Sequence, residues 1–240
     1  MDYRVEKKYL VCEDEIAYIK TRLYSIMKID EHSNNDTYLV RSVYFDDMNN
    51  SAYLQNEAGE DNRVKFRIRT YDNDLSHIAL EEKSKKNGYT HKESVLLDYE
   101  TAKRLLMPSG SFDAVRFLNT PMSADPFLLK KLYVNIGTRL LHPAVIVEYQ
   151  RCAFVEKIGN VRITFDTAIS SSRETQFFFK DSIAPIPVMK TGQHIMEIKY
   201  DEFLPEYIKK AIDIGCLQRT AFSKYYYAMN ASSSLFYNTQ

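Results

Sequence analysis

Residues Val64–Arg69 read VKFRIR, an alternation of apolar and cationic side chains. Because successive side chains of a β-strand point to opposite faces, the alternation predicts a strand with Lys65, Arg67 and Arg69 on one face and only apolar residues on the other. An exposed strand face usually carries both signs of charge, and like charges about 7 Å apart repel each other. We therefore expect a polyanion to bind across this face, with an ordinary solvated face as the alternative interpretation.

Charged and apolar side chains also alternate in four further segments, residues 3–8, 79–83, 160–166 and 195–199. The first is imperfect, because Lys7 interrupts its apolar face. Together the segments predict an α+β protein built on a closed antiparallel β-barrel, with helices packed outside and charged side chains turned inward. Since an unpaired buried ion is costly, the inward cations need phosphate groups, and the inward carboxylates need those cations or a metal ion.

The remaining elements follow from apolar periodicity and from turn and cap residues. Helices are predicted near residues 13–27, 99–107, 121–137 and 205–215 and from residue 220 onward, and strands near residues 38–46, 62–71, 77–85, 89–97, 144–155, 160–169 and 189–201. The polar residues from Asn230 predict a fraying tail. The length of 240 residues, without an interdomain linker, predicts a single domain over residues 1–240.

Composition bears on the location and the partners. Lys plus Arg and Asp plus Glu number 32 each, so the overall charge does not indicate attraction to nucleic acid or to a membrane surface. The aromatic residues are expected on the face opposite the cations, which argues against an RNA-binding sheet. Three widely spaced cysteines and the lack of an apolar run of about 18 residues predict a cytoplasmic protein without a membrane span. The five histidines lack metal-ligand spacing.

Eight short motifs follow one another along almost the whole chain: Glu6–Lys8, Tyr44–Asp46, Arg67–Arg69, Glu81–Lys83, Tyr149–Phe154, Val161–Asp166, Met196–Lys199 and Phe222–Lys224. Together they resemble the catalytic domain of the VTC (vacuolar transporter chaperone) polyphosphate polymerases, in the triphosphate tunnel metalloenzyme or CYTH superfamily. The resemblance implies an antiparallel eight-stranded tunnel that binds triphosphate or polyphosphate with a divalent metal ion. In the polymerases, the terminal phosphoryl group of ATP is transferred to a growing polyphosphate chain.

The resemblance also implies roles for individual charged residues. Phosphate contacts carry over to Lys8, Arg67, Arg69, Lys83, Lys92, Arg151, Arg162, Lys199 and Lys224. Glu197, with Glu6 as a helper, would bind Mn²⁺ or Mg²⁺, and a plain salt bridge is the alternative for Glu197. The predicted catalytic set is Lys8, Arg67, Arg69, Lys83, Arg151, Arg162 and Lys199, and the predicted substrate-binding set is Arg41, Lys65, Lys92, Arg219 and Lys224. For Arg41 and Lys92 an exposed rim charge is the alternative.

Two departures from the family patterns affect the predicted reaction. Arg4 occupies the position of the first glutamate in the Glu-x-Glu-x-Lys motif of the superfamily's hydrolases. Fewer carboxylates near the metal favour transfer to an already anionic phosphate over the activation of water. Ala221 stands where the polymerases often carry a lysine, and Arg219 is a candidate substitute.

The sequence therefore predicts an ATP-dependent polyphosphate polymerase whose partners are ATP or another triphosphate and inorganic polyphosphate. We expect no nucleic-acid partner, and a membrane partner that receives the polymer stays open. Two alternatives also stay open. One is a hydrolase of tripolyphosphate or organic triphosphates, and the other is a non-catalytic polyphosphate sensor.

Overall fold

The structure is a computed structural model that describes residues 4–31, 36–87, 89–107 and 127–237, with side chains as far as residue 231. These residues form an α+β protein with a large antiparallel sheet and six α-helices. The helices are α1 (Glu13–Leu23), α2 (Ser51–Glu57), α3 (Tyr99–Leu105), α4 (Phe127–Arg139), α5 (Glu206–Ile212) and α6 (Lys224–Tyr237).

Eleven strands are described: β1 (Val5–Val11), β2 (Lys28–Ile29), β3 (Tyr38–Asp46), β4 (Arg63–Tyr71), β5 (Ile78–Lys86), β6 (Tyr89–Leu97), β7 (His142–Glu156), β8 (Val161–Ser172), β9 (Ile186–Pro187), β10 (His194–Tyr200) and β11 (Gln218–Arg219). Eight of them have seven or more residues, which matches the predicted number of strands. The other three have two residues each and extend the pairing of longer neighbours.

The chain divides into two compact units. The described residues within 1–39, 148–170 and 187–223 form the first unit, and those within 40–147, 171–186 and 224–240 form the second unit. Within each unit, the pairing of the described strands has two ends and does not close on itself. The closed barrel is therefore not confirmed, and the single domain remains a prediction.

In the first unit, β1 lies between β11 and β10, and β10 pairs onward with β8. Lys8 of β1 is directly opposite Glu197 of β10, so the two side chains lie on the same face. Lys7, which interrupts the apolar pattern, lies 5.5 Å from the centroid of the Tyr200 ring in a cation–π contact. The apolar face packs with α1 and α5 in a core that contains Ile19, Leu23, Ile163, Phe165, Met196, Ile198 and Ile208.

In the second unit, β3, β4, β5 and β6 pair in chain order. The predicted strand at Val64–Arg69 is confirmed, because Phe66 and Ile68 are buried in an apolar core. The register places Tyr44, Arg67 and Glu81 in one cross-strand row on the other face. Residues from neighbouring strands, α3 and α4 complete the core, among them Val43, Phe45, Leu80, Ala102, Leu105, Leu128, Leu132 and Tyr133.

Two expectations for the C-terminal region are wrong. The final helix begins at Lys224 and not near residue 220, because Gln218–Arg219 pairs with β1 as a short strand. The helix also continues to Tyr237, so residues from Asn230 onward do not form a fraying tail. The Tyr53 hydroxyl of α2 donates a hydrogen bond of 2.6 Å to Asn230 Oδ1, which holds this part of α6 in place.

The helix predicted at residues 121–137 is observed in part. The structure has α4 at Phe127–Arg139, two residues beyond the predicted end, whereas residues 121–126 lie outside the described residues. In the described part of the chain, no helix has the length and the apolar character needed to span a bilayer. The three cysteines are free thiols.

Gly159 provides a test of the turn between β7 and β8. Its φ is +73°, and an added Cβ would meet the carbonyl oxygen of Phe203 at 2.5 Å. We expect Gly159→Ala to lower the free energy of unfolding by about 3 kcal/mol, because a backbone clash adds to left-handed strain of about 1 kcal/mol. Gly192→Ala is the control, since its φ is +76° but its Cβ would meet nothing within 4 Å. Equal losses in urea unfolding would contradict this account.

Candidate functional site

The first of two charged clusters lies in the second unit and centres on Glu81, which is 3% exposed. Arg67 Nε and Nη2 both lie 2.6 Å from Glu81 Oε2. Arg69 Nη1 is 3.8 Å from the same oxygen, and Lys92 pairs with Glu81 Oε1. We call these four residues the Glu81 cluster. Because three cations surround one carboxylate, the cluster keeps a net positive charge.

The cations dominate the electrostatics of the Glu81 cluster. Burial alone raises the pKa of the Glu81 carboxyl, but the charges of Arg67, Arg69 and Lys92 lower this pKa well below its usual 4.5. Burial also raises the pKa of the Tyr44 phenol, but Arg67 and Arg69 outweigh it and bring that pKa below its usual value. The Tyr44 hydroxyl accepts a hydrogen bond of 3.0 Å from Arg67 Nη1. The cluster therefore favours negative charge, as a phosphate site must.

A row of three lysines lies on the same face of the second unit. Lys65, Lys83 and Lys92 are directly opposite one another on β4, β5 and β6. Adjacent strands are about 4.8 Å apart, so these like charges repel. Lys65 Nζ donates a hydrogen bond of 2.6 Å to Asn56 Oδ1 and lies 5.2 Å from the centroid of the Tyr225 ring. An anion that spans the row would relieve the repulsion.

The second charged cluster lies in the first unit and centres on Glu197, which is 5% exposed. Lys199 Nζ is 3.3 Å from Glu197 Oε2, and Lys8 Nζ is 3.9 Å from Oε1. Arg151 Nη2 is 4.0 Å from Glu197 Oε2. Lys8 also pairs with Glu6 at 3.2 Å. We call these five residues the Glu197 cluster. It brings both predicted metal ligands together with three predicted phosphate ligands.

A second buried carboxylate anchors Arg151. Its Nε and Nη2 donate to the two oxygens of Asp166 at 2.6 and 2.8 Å, which is a bidentate pair. Burial lowers the pKa of the Arg151 guanidinium, but Asp166, Tyr149 and Glu197 raise this pKa well above its usual value, so Arg151 stays charged. Together with Asp166, the Glu197 cluster has three carboxylates and three cations, so its charges balance. The Glu81 cluster, in contrast, has more cations than carboxylates.

Thr164 adds a hydroxyl group beside the Glu197 cluster. It is directly opposite Glu197 on β8, so the two side chains lie on the same face. Among the described residues, no group forms a hydrogen bond with the buried Thr164 Oγ1. Mg²⁺ and Mn²⁺ bind oxygen atoms and use few carboxylates where phosphates supply the other ligands. Glu197, Glu6 and the Thr164 hydroxyl fit this demand, although the described ranges contain no group of three or more His, Cys, Asp or Glu side chains that could hold a metal ion.

Two arginines of the first unit pair with other carboxylates. Arg162 is directly opposite Lys199, and its Nη2 pairs with the buried Asp30. Arg4 Nε lies 3.7 Å from Asp201, at an exposed position. Arg4, which replaces the first glutamate of the hydrolase motif, is therefore paired with a carboxylate outside the Glu197 cluster.

Three predicted substrate contacts lie in different surroundings. Arg41 is 2% exposed, and its guanidinium donates to three carbonyl oxygens in the loop of residues 178–181. Arg219 is exposed on the short strand β11. The charge of Lys224, the first residue of α6, contributes to the lowered pKa of Tyr44. The phosphate contacts assigned to these three residues remain predictions, as do those of the two clusters.

The sequence assigns no site role to four side chains that lie on the charged faces of the strands: Tyr44, Glu81, Thr164 and Asp166. A signal for them exists in the sequence, because Glu81 lies two residues from Lys83, and Thr164 lies two residues from Arg162. Even spacing along a strand places such residues on the same face. The pattern does not reveal which cation on a neighbouring strand each carboxylate contacts, because that depends on the register.

The expectation that aromatic residues lie opposite the cations is wrong at several positions, among them Arg67 and Arg151. The Arg67 guanidinium lies 5.8 Å from the centroid of the Tyr44 ring, and the Arg151 guanidinium lies 5.1 Å from that of Tyr149. Both tyrosines are buried. Their rings therefore pack beside the guanidinium groups, and they do not form an exposed platform on which bases could stack.

Comparison with known proteins points to one family. The sequence profile of the VTC domain matches residues 3–233. A search of curated proteins found no significant match.

Several solved structures resemble the protein at low sequence identity. A putative adenylate cyclase from Bacillus halodurans is 18% identical, with 88% of this chain and 86% of that chain covered and a TM-score of 0.45. A protein from Pyrococcus horikoshii OT3 is 13% identical, with 96% and 99% covered and a TM-score of 0.47. A conserved hypothetical protein from Pyrococcus furiosus is 13% identical, with 87% and 85% covered and a TM-score of 0.42. At these TM-scores the likenesses carry no conclusion about function.

The lowered pKa of Glu81 predicts a pH-dependent contribution to stability. A carboxyl group whose pKa is depressed on folding stabilises the fold above its unfolded pKa, here about 4.5, and this contribution is lost as the pH falls towards the folded value. We expect Glu81→Gln to lower the free energy of unfolding by about 3 kcal/mol at pH 7, because three cations lose their shared partner. The difference from the wild type should shrink progressively below about pH 4.5.

Denaturant titrations between pH 7 and pH 3 measure this difference. Glu60→Gln is the control, because Glu60 is exposed and has no ion pair among the described residues. A destabilisation by Glu81→Gln that stays constant over the whole pH range would contradict the electrostatic explanation.

Proposed function

The chain belongs to the VTC domain family of triphosphate-tunnel phosphotransferases, and from this premise we propose that it transfers the terminal phosphoryl group of ATP to an inorganic polyphosphate chain. The observation that carries the proposal is the Glu81 cluster, in which three cations surround one buried carboxylate. The excess positive charge, together with the adjacent lysine row, suits an extended chain of phosphate groups.

Phosphoryl transfer asks the protein mainly to align the reactants and to stabilise charge on the equatorial oxygens. Arg67 and Arg69 are held by Glu81 before any substrate arrives. Their side chains therefore lose little conformational entropy when phosphate binds. Lys92 is half exposed and can approach a phosphate oxygen as a point charge. Lys65 and Lys83 extend the cationic surface along the same row.

The proposed transfer needs no general base on the protein. A terminal oxygen of the polyphosphate chain is already anionic, and it attacks the γ-phosphorus of ATP. The bond between this phosphorus and the bridging oxygen breaks, and the bridging oxygen leaves with the electron pair as part of ADP. Arg67, Arg69 and Lys92 would stabilise the charge that develops during this exchange.

We further propose that Glu197, Glu6 and the Thr164 hydroxyl would hold Mn²⁺ or Mg²⁺ in the Glu197 cluster. The buried hydroxyl without a hydrogen-bond partner among the described residues supports this assignment. When bound, such an ion would neutralise phosphate oxygens and polarise the phosphorus–oxygen bond. Lys8, Arg151 and Lys199 would orient the remaining phosphate oxygens.

The proposal includes the finer features that the sequence predicts. A closed eight-stranded tunnel would surround an extended phosphate chain with charged side chains and exclude competing water. The free thiols of Cys12, Cys152 and Cys216 are consistent with a reducing, cytoplasmic location. Whether a membrane partner receives the polymer stays open.

The reaction can be tested with Arg67→Ala. We expect at least about a hundredfold loss of ATP-dependent chain growth, because a preorganised charge on the transferring group is removed. Incubation with ATP and Mn²⁺, followed by separation of the products by size and measurement of ADP, gives the rate. Arg104→Ala, at an exposed position of α3, is the matched control and should retain wild-type activity.

Two results with the wild type would replace this function by another. Release of orthophosphate from tripolyphosphate that is much faster than chain growth would identify a hydrolase. Tight binding of polyphosphate without either reaction would identify a sensor. Equal rates for Arg67→Ala and Arg104→Ala would remove the Glu81 cluster from the active site.

The metal assignment can be tested at Thr164. We expect Thr164→Val to raise the Mn²⁺ concentration for half-maximal turnover about tenfold, because a polar group near the ion is lost while the side-chain shape is kept. Thr164→Ser, which keeps the hydroxyl, should behave like the wild type. Glu197→Gln should lose the Mn²⁺ dependence together with turnover. The same Mn²⁺ requirement in the wild type, Thr164→Val and Thr164→Ser would contradict a role of this hydroxyl.

A further inference from the structure

Two cysteines of the first unit lie at the same end of the pairing between β1 and β11. The antiparallel register of these strands places Leu10 opposite Gln218. Two residues further along each chain segment, the same register places Cys12 opposite Cys216. Opposite residues of antiparallel strands have Cα atoms about 4.5–5.5 Å apart. This separation lies within the range of about 4.4–6.8 Å that a disulfide bond spans.

The Glu15 carboxylate connects the two cysteines. One of its oxygens accepts a hydrogen bond of 2.8 Å from the Cys12 backbone N–H, and the other accepts a hydrogen bond of 3.4 Å from the Cys216 thiol. Because both oxygens belong to one carboxyl group, the Cys216 sulfur lies beside the backbone of Cys12. The hydrogen bond to Glu15 raises the pKa of the Cys216 thiol, and the nearby Cys12 sulfur contributes in the same direction.

Packing holds the chain on both sides of Cys216. Ile214 and Leu217 pack against the apolar core of the first unit. Arg22 of α1 donates from Nη1 to three backbone carbonyl oxygens at the end of α5 and just after it, at 3.2–3.3 Å. Since α1 begins directly after Cys12, these contacts fix both cysteines to the same element. Both thiols are exposed, so a small reagent can reach them.

We infer that Cys12 and Cys216 are a site of reversible oxidation, at which a small-molecule disulfide such as oxidised glutathione converts the two thiols into an intramolecular disulfide bond. One cysteine thiolate attacks the reagent, so that a mixed disulfide forms and the first reagent thiol leaves. The other cysteine thiolate then attacks the protein sulfur of the mixed disulfide, and the second reagent thiol leaves. The two cysteines are oxidised, the reagent is reduced to two thiols, and these thiols take up the two protons that the cysteines lose.

The disulfide would fasten the segment that follows Cys216 to β1. This segment already contacts Lys8, because the Thr220 N–H donates to the Lys8 carbonyl oxygen and Lys8 Nζ donates to the Phe222 carbonyl oxygen, both at 2.9 Å. Oxidation would therefore limit the separation of β11 from β1. The inference goes beyond the proposed phosphoryl transfer and does not depend on it, because neither cysteine belongs to the two charged clusters.

Equilibration of the native full chain with reduced and oxidised glutathione, followed by acid quenching, alkylation and tryptic digestion, tests the inference. Cys12 and Cys216 lie in the tryptic peptides 9–20 and 211–219, each of which contains one cysteine. Mass spectrometry should find these two peptides joined. The fraction joined and the glutathione ratio give the effective concentration of the two thiols. We expect it to be at least about a hundredfold higher in the native chain than in urea, because the fold holds the thiols together.

Two variants serve as controls. Cys152→Ser should form the same joined peptides, since Cys152 is buried. Cys216→Ser should carry glutathione on Cys12 instead. The main result comes from the wild type, so it does not depend on the folding of a variant. Glutathione adducts alone on Cys12 and Cys216, a bond to Cys152, a bond between two molecules, or equal effective concentrations in the native and the urea-unfolded chain would each overturn the inference.

Discussion

Cations placed side by side on one strand face repel each other, and in this protein a buried carboxylate holds each group of them together. Glu81 contacts three cations in the second unit, and Glu197 contacts three in the first. Both carboxylates are almost fully buried, whereas Lys92 is half exposed. Because the anion lies deepest, the outer sides of the cations are left to face a ligand, and the cations of each cluster have a carboxylate as counter-charge.

The strand alternation makes this arrangement possible. The same strands that carry the charges on one face carry Phe66, Ile68, Met196 and Ile198 on the other, where helices cover them. The packed apolar face fixes the strands, and the strands fix the positions of the charged side chains. Rigid positioning matters for phosphoryl transfer, because the protein contributes alignment and electrostatic stabilisation rather than a covalent intermediate.

The two clusters differ in charge balance, and this difference suits different ligands. The Glu81 cluster has more cations than carboxylates, which favours phosphate groups. Around Glu197, the carboxylates of Glu6 and Asp166 compensate the cations, and the Thr164 hydroxyl lacks a partner among the described residues. Under the proposed function, the Glu197 cluster would supply oxygen ligands to a metal ion.

The sequence by itself determined which side chains share a face at Val64–Arg69 and at Glu197 and Lys199, because the period of two is a local property of a strand. Its ordered motifs also identified the family. Only the tertiary structure decided that Glu81 pairs with Arg67 and that Arg41 is buried against backbone carbonyls. These features depend on strand register and on the packing of segments distant in sequence, which local periodicity does not encode.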